Sequence, residues 1–204
     1  MTQALPDEPP LRLRSRQKQQ TREHLLAVAT EVFGKKGYFE TSIDDITTAA
    51  GTSRATLYAH FPGKEAVLAE IVERMFSEVK VLYSEFSELE EWSRPSIHRW
   101  VTNFAKKWQK DAARNKVGTE AALPQLVQRR PVLHRELIEH LRSRPEPWAH
   151  FTPKEADARA SMMVYLLQGE FPGFFFSDVR GSQAAFIDQI TDALLDLLRV
   201  SDRG

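Results

Sequence analysis

Between positions 53 and 60 the chain places Arg54, Thr56, Tyr58 and His60 on one short stretch, where an apolar stripe would mark buried structure. Arg54 and Tyr58 are four residues apart and share a helical face, with Ala55 and Thr56 beside them. A guanidinium can donate two hydrogen bonds to a guanine edge or clamp a phosphate. Hydroxyl, imidazole and ammonium groups on Thr41, Ser42, Thr52, Ser53, Thr56, Tyr58, His60 and Lys64 suit phosphate oxygens. Thr41, Ser42 and Ser53 equally suit helix caps, and His60 suits a helix end. No local task accounts for Arg54, Tyr58 or Lys64.

Three helices must position these groups. The first spans about residues 19–36, with Leu25, Leu26, Ala29, Val32 and Phe33 recurring at the 3.6-residue period. Gly34 or Gly37 ends it, and Tyr38 and Phe39 plug a small core. Thr41 or Ser42 caps the second helix, residues 43–50, and Ser42 and Asp45 have capping-box spacing. Its aspartates favour the helix N-terminus through the macrodipole, and Ile43, Ile46 and Ala50 face inward. Gly51 makes the turn. Thr52 or Ser53 caps the third helix, residues 53–60, whose inward side is Leu57 and Phe61. Pro62 and Gly63 then break the chain. Helix, tight turn and helix is the pattern that lays its second helix in the major groove of DNA. Residues 19–64 therefore read as a helix-turn-helix domain, preceded over 1–18 by a disordered arm that is basic beyond its first ten residues.

Net charge over the 204 residues is zero, yet its distribution is not even. Residues 12–64 carry nine basic groups against five acidic ones, whereas 65–204 carry 19 against 21. Such asymmetry is expected when one end of a chain meets phosphates. No apolar run approaches the roughly 20 residues a bilayer span requires, so no membrane partner is expected. Cysteine is absent, which excludes thiolate chemistry and suits a reducing cytoplasm.

Residues 65–204 also read as helical, giving an all-α chain. A long helix runs from Lys64 to about Glu90. Ser93 and Pro95 start another that bears Ile97, Trp100, Val101, Phe104 and Trp108. A short segment comes next near 119–129, then a helix from Pro131 to about Arg144 and a loop, RPEPWAHF. Thr152, Pro153 and Glu155 open a helix reaching Gly169 or beyond, which Pro172-Gly173 should kink or end. The last helix covers about 183–199.

The stretch GYFETSIDDITTAAGTSRATLYAHFPGKEAVL resembles the N-terminal domain of TetR-family transcriptional regulators. The match lies in Gly37-Tyr38, Thr41 to Ile46, Ala50-Gly51, Ser53 to Tyr58, His60-Phe61 and Lys64-Glu65. It covers about residues 20–70, and Thr52 stands where an apolar residue is frequent. The resemblance implies about nine helices per subunit and a homodimer on a palindromic operator, released by a small molecule in the C-terminal body. It also implies phosphate contacts for Tyr58, His60 and Lys64, and places Arg54, Ala55 and Thr56 near base edges.

Fifteen of the 20 aromatic residues fall in 65–204. At helical spacing they either form core or leave room for a ligand. Candidate walls for a small apolar or amphipathic effector are Phe76, Tyr83, Trp100, Phe104, Trp108, Met163 and Tyr165, with Gln168 and Glu170 as polar anchors. The last two long helices are more apolar than one packing face absorbs, which points to pairing with a second copy. An effector would then act by shifting the long helix that starts at Lys64. Neither catalytic groupings nor metal-ligand spacing such as HExxH occur among the six histidines, and no cofactor is expected. A non-enzymatic carrier of apolar molecules is the rival reading, and it would leave the basic N-terminal third without a task.

Overall fold

The computed structural model describes residues 10–120, 124–177 and 181–198. Among them the chain forms nine α-helices and one 3₁₀ turn, with no strand. The helices are α1 (Pro10–Lys36), α2 (Ile43–Ala49), α3 (Arg54–Tyr58), α4 (Lys64–Ser87) and α5 (Arg94–Lys110). They continue as α6 (Ala112–Glu120), α7 (Pro124–Leu141), α8 (Pro153–Phe176) and α9 (Gln183–Leu198). The chain divides into two compact units between Ile71 and Val72, inside α4 rather than at its start.

In the first unit, Leu25, Leu26, Ala29 and Phe33 of α1 are buried with Ile46, Leu57, Phe61, Leu68 and Ile71. The expected register of α1 is thus met, although Val32 is only half-buried. Gly37 ends α1 at φ +87°, where any side chain would be strained. Tyr38 then enters the core, but Phe39, expected beside it, is 68% exposed. Arg22 ties α1 to the end of α3 and to the first turns of α4. Its guanidinium lies 4.1 Å over the Phe61 ring, donates to the His60 carbonyl at 2.5 Å and pairs with Glu70.

Three helices run on where the sequence suggested breaks. α1 begins at Pro10, so residues 10–18 of the expected disordered arm are helical; residues 1–9 lie outside the described set. Proline tolerates a first-turn position because its missing N–H has no intrahelical acceptor there. α7 passes through Pro131 and α8 through Pro172. In α8, the residues around the proline (Leu167, Phe171, Phe174 and Phe175) pack into the second core. That packing opposes the cost of one missing backbone hydrogen bond. The expected loop RPEPWAHF contains the 3₁₀ turn Glu146–Trp148, which buries Trp148.

The second core is built on aromatic edges. Phe171, fully buried, lies 4.8 Å from the Phe104 ring, 5.1 Å from Phe186 and 5.9 Å from Trp108. Trp100 contacts Phe86 edge-on at 4.9 Å, and its indole N–H donates to the Leu82 carbonyl at 2.9 Å. Burying one such ring contributes about 2–3 kcal/mol, and offset ring pairs contribute somewhat more.

Candidate nucleic-acid interface

Ser42 caps α2: its hydroxyl accepts from the Asp45 amide at 3.1 Å, while its own amide donates to the Asp45 carboxylate at 2.7 Å. Lys36 reaches the same carboxylate at 2.7 Å. Lys36, then the Ser42 amide and hydroxyl, hold the Asp45 carboxyl well below its usual range. The chain turns at Gly51, φ +61°, and the Thr52 amide donates to the Thr47 carbonyl at 2.9 Å. Ser53 then caps α3 by accepting from the Thr56 amide at 3.1 Å.

α3 is shorter than expected, five residues from Arg54 to Tyr58. Leu57 is fully buried, and Arg54, Ala55 and Tyr58 are exposed. One anchored leucine therefore presents a guanidinium and a phenol to solvent, the phenol 53% exposed. Ser42 and Ser53 are exposed as well, while Thr52, Thr56 and His60 are half-buried. The Thr56 hydroxyl lies 2.9 Å from that of Ser53. His60 has its Nδ1 buried without a hydrogen-bond partner.

Two expected phosphate ligands face inward instead. Thr41 is 1% exposed, and its hydroxyl donates to the Gly37 carbonyl at 2.7 Å. The Lys64 ammonium donates to the carbonyls of Thr41 at 2.8 Å, Tyr38 at 3.2 Å and Phe39 at 3.4 Å, and sits 4.7 Å over the Tyr38 ring. After the left-handed turn at Gly37 these carbonyls lie outside any helix, and the cation donates to all three beside the Thr41 amide that reaches Tyr38 at 3.3 Å. Lys64 thus has the local task that the sequence alone did not suggest.

For Asp44 the sequence suggests only a helix-dipole role. In the structure it pairs with Arg54, whose Nε and Nη2 donate to its two oxygens. That contact keeps the Asp44 carboxyl below its usual range and raises the guanidinium further. No periodicity could have signalled it, because the ten-residue separation spans a turn whose angle is a tertiary property.

In the second unit the expected wall residues do not line one cavity. Tyr83, Trp100, Phe104, Trp108 and Met163 are buried core; Phe76 and Gln168 are half-buried; Tyr165, 65% exposed, and Glu170 face solvent. The Tyr83 hydroxyl is buried without a partner, and burial pushes its pKa up. A depression of about 550 Å³ lies elsewhere, between α8 and α9, and none of the expected wall residues line it. Its walls include Arg159, Met162 and Leu197. Among the described residues no cluster of three or more His, Asp or Glu side chains suits a metal ion. No helix there is long and apolar enough to cross a membrane.

Comparison with known proteins agrees with this geometry. The family profile described as bacterial regulatory proteins, tetR family, matches residues 25–71. The transcriptional repressor DhaR of Mycobacterium sp. (strain GP1) is 36% identical over 84 residues, 41% of each chain. The transcriptional regulator EthR of Mycolicibacterium smegmatis is 34% identical over 102 residues, 48% of this chain and 45% of its own. The chain thus spans less than half the length of these curated relatives. Its fold is shared more widely. GusR of Salmonella enterica superposes with a TM-score of 0.71 at 21% identity, over 88% of this chain and 96% of its own. The fatty acid degradation regulator FadR of Bacillus halodurans gives 0.68 at 17% identity, over 93% and 97%. The match by sequence to the tetR family of bacterial regulatory proteins thus lies in the N-terminal helix-turn-helix, residues 25–71, while the rest of the chain is matched by its helical fold.

Proposed function

We propose that the protein is a transcriptional repressor that binds a palindromic DNA operator as a homodimer in the cytoplasm and is released by a small apolar or amphipathic effector. The observation that carries this reading is the presentation of Arg54 and Tyr58 on α3, exposed together while Leu57 holds the helix from behind. Ser53 flanks them as an exposed hydroxyl for a backbone phosphate, and Ser42, whose own hydroxyl donates to Asp45, lies exposed at the start of α2. The name of DhaR, a repressor, supports the sign of regulation. Pairing is supported by Met162 and Tyr165, large apolar side chains of α8 that are 57% and 65% exposed. A two-fold pair would bring two α3 helices to half-sites about 34–36 Å apart, or a multiple of that. An effector would act through different affinities for two arrangements of α4, the helix that enters both units.

Selection of bound sequences from random duplex DNA tests head and symmetry together. A palindrome is the expected outcome, alongside a dimer mass in light scattering. Failure to enrich any sequence, or a monomer at micromolar concentration, would overturn the reading. Release is tested separately, by adding aliphatic and aromatic compounds to the purified complex and following its dissociation.

A further inference from the structure

The Arg54–Asp44 contact uses one side of the guanidinium. Nε donates to one carboxylate oxygen and Nη2 to the other. A guanidinium has five N–H donors in a rigid planar fork. The side-on pairing takes the Nε hydrogen and one Nη2 hydrogen. What remains includes one hydrogen on each terminal nitrogen, side by side at the end of the fork. Two parallel donors match the O6 and N7 acceptors on the major-groove edge of guanine. Adenine sets an N6 donor beside N7 and would meet one of them with a like group.

Three further features favour base reading over phosphate clamping. Arg54 and Asp44 side chains are 65% and 55% exposed, so the open end of the fork is accessible. Ala55, the next residue, is small and exposed, which leaves room for close approach. The carboxylate cancels the charge that would draw Arg54 to a phosphate and repels the phosphate itself. It also restricts a side chain otherwise free to rotate, so less entropy is lost on binding.

We infer that Asp44 is a specificity-determining positioning residue, holding Arg54 end-on to a guanine in each operator half-site. This rests on the reading that α3 enters the major groove.

The test uses the full chain as wild type, Asp44→Asn, Asp44→Glu and Arg54→Lys, on the duplex that wild type selects. Each guanine of a half-site is replaced in turn by adenine or by 7-deazaguanine, which keeps base pairing but lacks the N7 acceptor. Wild type should lose about tenfold or more in affinity at one guanine per half-site, and Arg54→Lys should abolish that preference. Asp44→Asn should narrow the ratio to about threefold or less while tightening binding to unrelated DNA. Asp44→Glu should restore part of it. Equal melting temperatures for the four proteins separate loss of discrimination from loss of folding. Should Asp44→Asn melt early, the two remaining variants decide. The inference is overturned if no guanine preference depends on Arg54, or if it persists undiminished without the Asp44 carboxylate. Absence of any palindrome with wild type would sink the DNA-binding reading beneath it.

Discussion

The Lys64 ammonium lies 2.8 Å from the Thr41 carbonyl, so the first residue of α4 closes the turn that delivers the chain into α2. Carbonyls without donors are costly when shielded from water, and this cation donates to those of Thr41, Tyr38 and Phe39, of which Tyr38 also accepts from the Thr41 amide at 3.3 Å. Lys64→Met should therefore destabilise the first unit by about 1.5–3 kcal/mol, the range for hydrogen bonds to a charged group. Urea unfolding followed by circular dichroism would measure it. An unchanged midpoint with weakened DNA binding would instead restore Lys64 to the phosphate role expected from sequence.

Tyr58 should behave in the opposite way. Its side chain is 53% exposed. Tyr58→Ala should leave stability within about 0.5 kcal/mol, as exposed substitutions do. DNA affinity should fall several-fold and by a similar factor on specific and unrelated duplexes, as loss of a backbone contact does. Binding curves on both kinds of DNA would reveal a sequence-selective loss, which would make Tyr58 a base reader.

At Gly37 the prediction concerns backbone alone. The residue sits at φ +87°, and an added Cβ would meet nothing within 4 Å. Gly37→Ala should cost about 1–2 kcal/mol through left-handed strain without any clash. Thermal melting checks it. A neutral result would mean that the turn can relax to a negative φ without loss.

Acid should loosen the start of α2. Arg54 lowers the Asp44 carboxyl and Lys36 lowers that of Asp45, both from an ordinary value of 3.8. Carboxylates depressed in the folded state bind fewer protons there than in the unfolded chain. Their stabilisation is complete above the ordinary value and drains away as pH falls through the lowered ones. The urea midpoint of wild type should thus decline below about pH 4. Asp45→Asn should start lower and decline less. An identical acid limb in the two proteins would show that the pairing carries no linkage.

Much of this architecture was legible because burial leaves a periodic trace. Leu25, Leu26, Ala29 and Phe33 recur at helical spacing and are buried, and Ser42 and Ser53 occupy the caps that their hydroxyls suggested. What could not be read depends on angles between elements. Tyr38 and Phe39 are adjacent aromatics, yet only one turns inward, since a turn decides which side each takes. Asp44 and Arg54 meet across a loop, and Lys64 finds carbonyls 23 to 26 residues earlier in the chain. Pro172 lies inside α8 because surrounding contacts outweigh a local preference, and α7 likewise runs through Pro131. In the second unit the aromatic count was plain, but whether Phe104 and Trp108 line a space or fill it depends on how Phe171 meets them.

The placement of Arg22 over Phe61, bonded to Glu70 and the His60 carbonyl, bears on thermodynamics as well as shape. DNA sheds condensed counterions in proportion to the phosphates a protein neutralises, about 0.9 per contact on B-form duplex. Nine cations between positions 12 and 64 would release about eight ions per head. Arg22, Lys36, Arg54 and Lys64 are already engaged with partners inside the protein. Lys35 pairs with Glu31 as well, so the logarithm of affinity should fall with that of sodium chloride less steeply than the nine cations of the sequence suggest.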